Sequence, residues 1–558
     1  MSIFEYKYHV VIIASSSFCL YFNIKERFYK TNYDKIGSGS EGDDTMNSSI
    51  RLAPVTHWNI GVPAIHGPDL TGASAGKPFL YTIPATGERP LKFTAEGLPE
   101  GLAINPDNGQ ITGCVKSEGQ YRILLKARNR HGQAEKEFDI IIGSELALTP
   151  PMGWNSWNTW RRWVDDAKVR AAAEHMVDSG LAARGYTYIN IDSCWQGERG
   201  GKHNAIEPNR KFPNMPALAE FIHNKGLKFG IYSSPWVCPW GCSKEEAFAD
   251  WGGGSLIGCS AGERDPDYPN EYPQIEGKYV GKEKYEANDV AQWVDWDVDF
   301  LKYDWALGDM ASLERIGRVI KNASRDIVLS LCTGMKIENI DAYKKWAHMW
   351  RGSEDTHDDW NNLLRTGLHS EEVNQRNWRP YIGPDNWYDL DMLALGPQFD
   401  TKESTTPCKL TLEEQITQMS YWALFPSPLM LSCNLANMDD FTLRLFGNEE
   451  ILAVNQDRLG KPAVRVKEIR QQSLSSTKLL HDNRVHARQL SDGTLAVGFF
   501  NLSDHEDEVS IPLSELELRG TVAVRNLWER KDLGDMEDKI TLSVPSHGSQ
   551  IVKVTCKR

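Results

Sequence analysis

The sequence predicts a central (β/α)8 barrel flanked by two β-sandwiches, an Ig-like one before it and an antiparallel one after it. Three observations carry this. Between about residues 148 and 458, strand-like runs alternate with runs of helical periodicity, the spacing of βαβ units and a parallel sheet. Those strand runs end on polar or unusual residues, Asp192, Tyr232, Asp304 and Cys332 in turn, as expected where a barrel builds its site at the C-terminal rim. Outside that range, short runs separated by turn signals replace the helices.

Taken in order, residues 1–50 stand apart. The stretch "HVVIIASSSFCLYF" (9–22) follows Lys7 and resembles a short signal-peptide core, though no A-x-A site follows it. It is too short and serine-rich for a stable membrane span. Residues 31–50 are polar, and Met46 is an alternative start. The expectation is a secreted or periplasmic protein.

Residues 51–145 carry "KPFLYTIPATG", "PLKFTA", "GLAINPDNGQITG", "GQYRILLKARNRHG" and "KEFDIII", the spacing of an all-β sandwich. "LPEGLAINPDNGQITGCVKSEGQYRILLKA" is similar to bacterial Ig-like (cadherin-like) modules. That resemblance implies two tight turns in which Gly109 and Gly113 supply positive φ. Such a module serves adhesion or sugar binding, or acts as a spacer packed on the next domain.

In 148–458, "VDDAKVRAAAEHMVDSGLAARG" reads as helix and "YTYINIDSCW" as strand. Helix "MPALAEFIHNKG", strand "LKFGIYSSP", helix-like "NDVAQWVDWD", strand "VDFLKYDWA", helix "LERIGRVIKNAS" and strand "DIVLSLCTG" follow. No Gly-rich phosphate loop follows any strand, which favours the barrel over a doubly wound sheet. From 459 to 558 the helices stop, and "HARQLSDGTLAVGFFNLSDHEDEVSIPLSEL" and "ITLSVPSHGSQIVKVT" alternate with turns.

Composition narrows the function. The net charge of -14 argues against a nucleic-acid partner. The 19 tryptophans suit sugar rings as well as large cores. Ten cysteines in 558 residues make no disulfide framework, although Cys238, Cys242 and Cys259 cluster closely enough for a local loop disulfide. Around that cluster no two CxxC pairs or nearby histidines complete four zinc ligands.

The chemistry begins in "DFLKYDWA" (299–306). Alternation puts Phe300, Lys302 and Asp304 on one strand face. At a barrel mouth, the Lys302 ammonium is expected to lower the Asp304 pKa. An ionised, poorly solvated carboxylate there can attack an anomeric carbon. A second, protonated carboxyl must lie nearby. "MWRGSEDTHDDW" (349–360) crowds Glu354, Asp355, Asp358 and Asp359 beside Arg351 and His357, and repulsion among them is expected to raise some pKa values. Spacing does not say which is the acid.

"LTPPMGWNSWNTW" (148–160), "YINIDSCW", "KGLKFGIYSSP", "FLKYDWA", "WRGSED", "WYDLDML" (387–393) and "AVNQDRLG" occur in that order. Together they resemble family 27 of the glycoside hydrolases, the α-galactosidase and α-N-acetylgalactosaminidase family, over about 148–556. The resemblance implies a retaining, exo-acting α-glycosidase, most simply an α-galactosidase, acting on oligosaccharide or polysaccharide without metal or organic cofactor. It implies that Asp304 is the nucleophile and Asp355 the acid/base. It implies sugar contacts from Trp154 and Trp157 in an aromatic wall, from Asp192, Tyr232 and Lys302, from Arg351 beside the reacting carbon, and from Asp391 at the pocket edge.

The chain also departs from the family pattern. Ser193 stands where relatives carry a second aspartate, and Thr333 where they read the sugar's 2-position. Trp305 and Ala306 follow the nucleophile where a cysteine is usual, so the family's disulfide there cannot form. These departures leave α-N-acetylgalactosaminidase, isomalto-dextranase-like and β-L-arabinopyranosidase activities as alternatives. A non-catalytic carbohydrate-binding or adhesion protein is the reading from another class. Retention of both Asp304 and Asp355 speaks against it.

Overall fold

The structure is a computed structural model that describes residues 51–241, 258–270, 272–305, 309–332, 334–368, 377–472 and 479–557. At its centre are β1 (Met152–Asn155), β2 (Tyr188–Asn190), β3 (Lys228–Ser233), β4 (Phe300–Asp304), β5 (Val328–Cys332), β6 (Met349–Arg351), β7 (Trp387–Asp389) and β8 (Leu429–Leu431). Their hydrogen-bonded order is β8-β1-β2-β3-β4-β5-β6-β7, and every pair is parallel. The ring closes where Leu393, just past β7, bridges in parallel to Leu431 and donates its N–H to Met430 O at 2.9 Å. A closed ring leaves no sheet edge.

Helices α1 (Asp166–Asp178), α2 (Met215–Asn224), α3 (Glu286–Asp295), α4 (Met310–Lys321), α5 (Ile340–Trp346), α6 (Trp360–Leu363) and α7 (Leu412–Leu424) lie on the crossovers, and α8 (Glu449–Asn455) follows β8. Their starts are written in sequence. The Asp165, Asn214 and Asp309 carboxyl or amide oxygens accept the N–H of Lys168, Ala217 and Ser312, and Thr411 with Glu414 forms a capping box on α7. Tyr188, Phe300, Val328, Met349, Trp387 and Met430 fill the barrel interior below the rim, so chemistry is confined to the strand ends. Hairpins at 196–208 and 260–284 and another at 398–406 extend the rim; their short strands lack the pattern that made the barrel strands legible.

The Ig-like module pairs a four-stranded sheet with a three-stranded one around Phe79, Phe93, Ile111, Leu125 and Ile140. Gly109 and Gly113 have φ of +74° and +134°, as the turn pattern requires; a Cβ on Gly113 would stand 2.0 Å from Gly101 O. The module lies against the barrel's N-terminal face. Thr82 Oγ1 donates to Gly226 O at 2.8 Å, just ahead of β3, and Asp326 Oδ2, just ahead of β5, accepts the Ser74 N–H at 2.7 Å. The module thus packs on the barrel at the end opposite the rim.

The C-terminal sandwich sets a six-stranded sheet against a two-stranded one and packs on α7. Trp528 Nε1 donates to Ser420 Oγ at 2.8 Å, and Arg488 donates to Ala423 O at 2.7 Å. Among the described residues no helix is long and apolar enough to cross a membrane.

Candidate active site

Register decides which side chains reach the rim. Phe300 belongs to the interior cluster, so Lys302 and Asp304 on the same face of β4 also point inward. Asp304 pairs in register with Cys332 at the end of β5, and Arg351 with Asp389 at the end of β7. Lys302 donates to Asp192 Oδ2 at 2.7 Å, and Asn155 Nδ2 donates to the same oxygen at 3.0 Å. The Lys302 ammonium lies 5.6 Å from the centre of the Tyr232 ring. Burial opposes the Lys302 charge, yet Asp192, Cys332 and Asp304 raise its pKa. The strand ends thus carry a fixed set of charges rather than solvated side chains.

The acidic segment after β6 sorts itself. Glu354 faces Arg365 across 3.5 Å at an exposed position. Asp358 bonds Lys409 at 3.1 Å, and Asp359 caps α6 by accepting the Asn362 N–H at 2.9 Å. Asp355 alone meets the buried Arg351, at 2.6 Å, while its side chain stays 54% exposed. The other arm of Arg351 meets Asp391 Oδ1 at 2.5 Å, and Asp391 Oδ2 accepts the Thr356 N–H at 2.7 Å. Asp391 is therefore a buried support for Arg351 instead of an open edge residue. Its φ of +77°, like the +85° of Cys194, is strained for a residue with a Cβ, as functional rims often show.

Two electrostatic expectations reverse. Burial raises Asp304 to about 6, outweighing Lys302 and Arg351, and Asp355 and Asp192 add to the rise. The lysine's short contact goes to Asp192, and desolvation wins. At Asp355, whose side chain keeps a solvent-exposed side, desolvation by the surrounding protein is outweighed by Arg351 and Lys302, which hold the carboxyl below its ordinary range. The two carboxyls share one field and titrate as a pair.

Other predicted contacts divide. Tyr232 is fully buried at the mouth, its hydroxyl accepting the Trp240 N–H at 3.4 Å. Trp157 is half-buried against Cys194 and Cys238. Trp154 forms no wall: Asn155 faces the rim, so its neighbour faces away, 1% exposed, with its indole N–H on Cys433 O at 2.8 Å. The Ser193 hydroxyl is shut from solvent and has no hydrogen-bond partner among the described residues, and a Cβ on Gly241 would come within 2.6 Å of it. Thr333, Ala306 and Cys242 lie outside the described residues. Among the described cysteines no disulfide forms, and the Cys259 Sγ instead lies 3.1 Å from Ser233 Oγ.

Asp389 was missed. Burial and Asp391 push it up to about 7, and its place opposite Arg351 could have been read from the alternation of "WYDLD". Asn155 was also missed, although it follows Trp154 on β1 and the same alternation turns it inward.

A (β/α)8 barrel with two carboxyls and fixed cations at its C-terminal rim carries the groups that glycoside hydrolysis requires. Comparison with known proteins narrows the class. The family model described as "Alpha galactosidase A" matches residues 149–244 and 272–457. "Alpha galactosidase C-terminal beta sandwich domain" matches 481–554, and "Putative Ig domain" matches 62–143. The α-galactosidase of Cyamopsis tetragonoloba is 31% identical over 444 residues, 77% of this chain and 93% of its own. A crystal structure of a "putative alpha-galactosidase/melibiase" from Bacteroides fragilis aligns with TM-score 0.75 and 30% identity, covering 89% of this chain and 99% of that one. A family 27 β-L-arabinopyranosidase from Geobacillus stearothermophilus aligns with TM-score 0.60 and 27% identity, covering 74% and 98%. The chain belongs to the alpha-galactosidase A family.

Proposed function

We propose that the protein is a retaining, exo-acting α-galactosidase. The observation that carries this reading is the selection of Asp355. Of four clustered carboxylates it alone shares Arg351 with the field of the buried Asp304. The reactive form carries the pair's one proton on Asp355. In the first step an ionised Asp304 oxygen bonds to the anomeric carbon while the glycosidic C–O bond breaks, and the leaving oxygen takes that proton. In the second, Asp355 takes a proton from water, the water oxygen bonds to the anomeric carbon, and the ester to Asp304 breaks. Lys302, Asp192 and Tyr232 hold ring hydroxyls, Arg351 the hydroxyl beside the reacting carbon, and Trp157 the C–H face of the ring. The segment 9–22 supports a secreted or periplasmic location, which sequencing the N-terminus of exported protein tests.

Hydrolysis of nitrophenyl α-galactoside with retained configuration is the expected result. Asp304→Gly abolishes turnover, and azide or formate partly restores it with an inverted product; unchanged activity in Asp304→Ala would sink the assignment. A second reading, β-L-arabinopyranosidase, draws on Ser193, whose small hydroxyl is covered by Gly241 where relatives carry a carboxylate. It predicts a faster rate on nitrophenyl β-L-arabinopyranoside than on the galactoside, assayed side by side.

A further inference from the structure

Away from the barrel, three side chains converge in the C-terminal sandwich. His481 lies on strand Leu479–Gln489 of the six-stranded sheet. Asp507 opens strand Asp507–Pro512 of the two-stranded sheet. His505 lies on the connection that leads into that strand. One ligand atom from each falls within 4.8 Å of the others. The arrangement is held from outside: Asn483 Nδ2 donates to Asp507 Oδ2 at 2.5 Å, and Asn501 Nδ2 donates to His505 O at 2.6 Å. The two imidazole rings stand 5.6 Å apart, tilted by 68°.

We propose that His481, His505 and Asp507 form a divalent transition-metal site, of the zinc class, that ties the two sheets of the sandwich together. Two imidazoles and a carboxylate suit zinc, cobalt or nickel, whereas magnesium and calcium need shells of oxygen. His481 Nδ1 and Asp507 Oδ2 form a hydrogen bond of 2.6 Å. A tetrahedral ion with bonds of about 2.0–2.1 Å holds its donors about 3.3 Å apart. The cation therefore replaces that hydrogen bond, the pair opens by less than about 1 Å, and His505 moves inward. Water takes the fourth position. Asn483, already bonded to the carboxylate, plays the outer-shell role that fixes a ligand's orientation. The site has no part in glycoside hydrolysis; its effect is on the sandwich, because an ion bound only by the folded state stabilises it.

The full chain, stripped with chelator and carrying Cys556→Ser to remove an exposed thiol, is titrated calorimetrically with zinc chloride and melted with zinc, cobalt or magnesium chloride. Expected are one zinc per chain, visible absorption of tetrahedral cobalt, and a higher melting temperature with zinc but not magnesium. His505→Ala and Asp507→Asn each weaken zinc binding at least tenfold and remove the melting shift, while His505→Ala keeps the parent's rate on the nitrophenyl glycoside. Absence of a one-to-one site, or equal zinc affinity in both variants and the parent, would leave only a hydrogen-bonded surface pair and overturn the proposal.

Discussion

Asp299 and Asp304 sit at the two ends of β4, and each is 8% exposed. Burial pushes both carboxyls up, yet they end on opposite sides of the ordinary value. At the N-terminal end, His223 at 2.7 Å, Arg325 at 2.6 Å and the Phe229 N–H at 2.8 Å hold Asp299 low. At the rim, burial outweighs the Lys302 and Arg351 charges, Asp355 and Asp192 add their repulsion, and Asp304 rises to about 6. Equal burial thus gives an anchor at one end and a reactive group at the other. The charges that act on each carboxyl, not depth alone, separate structure from chemistry.

Exchanging each aspartate for asparagine breaks the comparison most sharply. Asp304→Asn is expected to cut kcat by on the order of 10⁴-fold or more while raising stability at pH 7. A carboxyl lifted from 3.8 to about 6 by the fold binds its proton more tightly folded than unfolded. Its ionisation therefore costs stability as pH rises from about 4 to 6, by about 3 kcal/mol at most. The gain should vanish below about pH 4, read by denaturant melts across pH. Asp299→Asn should do the reverse, losing about 3 kcal/mol with the chemical step retained. Because the Asp299 carboxyl is held low, that loss is full at neutral pH and fades as pH falls through its folded value.

Arg351→Gln comes next. It removes the cation that lowers both site carboxyls, so kcat/KM should fall about 10²-fold and the basic limb of the pH profile should move upward. In the unaltered enzyme that limb is expected at about 6, since turnover needs one proton on the pair; a second proton, added at lower pH, forms the acidic limb. A rate that stays level from pH 6 to 9 would contradict the shared proton. Gly113→Ala should have the smallest effect on activity. Its positive φ and blocked Cβ predict a loss of about 2 kcal/mol in the Ig-like module, with kcat unchanged, because the module lies at the barrel's far face.

What was legible in the sequence was whatever a period or a short local rule encodes. Alternation placed Lys302 and Asp304 on one inward face of β4, and turn chemistry placed Gly109 and Gly113. The same alternation, applied to "GWNS", would have turned Trp154 outward once Asn155 was seen to face in. What stayed hidden depends on distant segments. Spacing alone did not separate Asp355 from Asp358 and Asp359; the family resemblance chose it, and only the structure shows Lys409 and α6 claiming the others. Ser193 is covered by Gly241 from another loop. The reversed pKa order comes from burial, which spacing does not reveal.

The central claim is that Asp304 forms the covalent bond to the sugar. Incubation with a slow fluorinated galactosyl substrate, followed by proteolysis and mass spectrometry, tests it directly. The predicted result is one sugar per chain, carried on the peptide containing Asp304. A label on Asp355, Asp389 or any other residue would contradict it, as would steady hydrolysis of the parent substrate with inverted configuration.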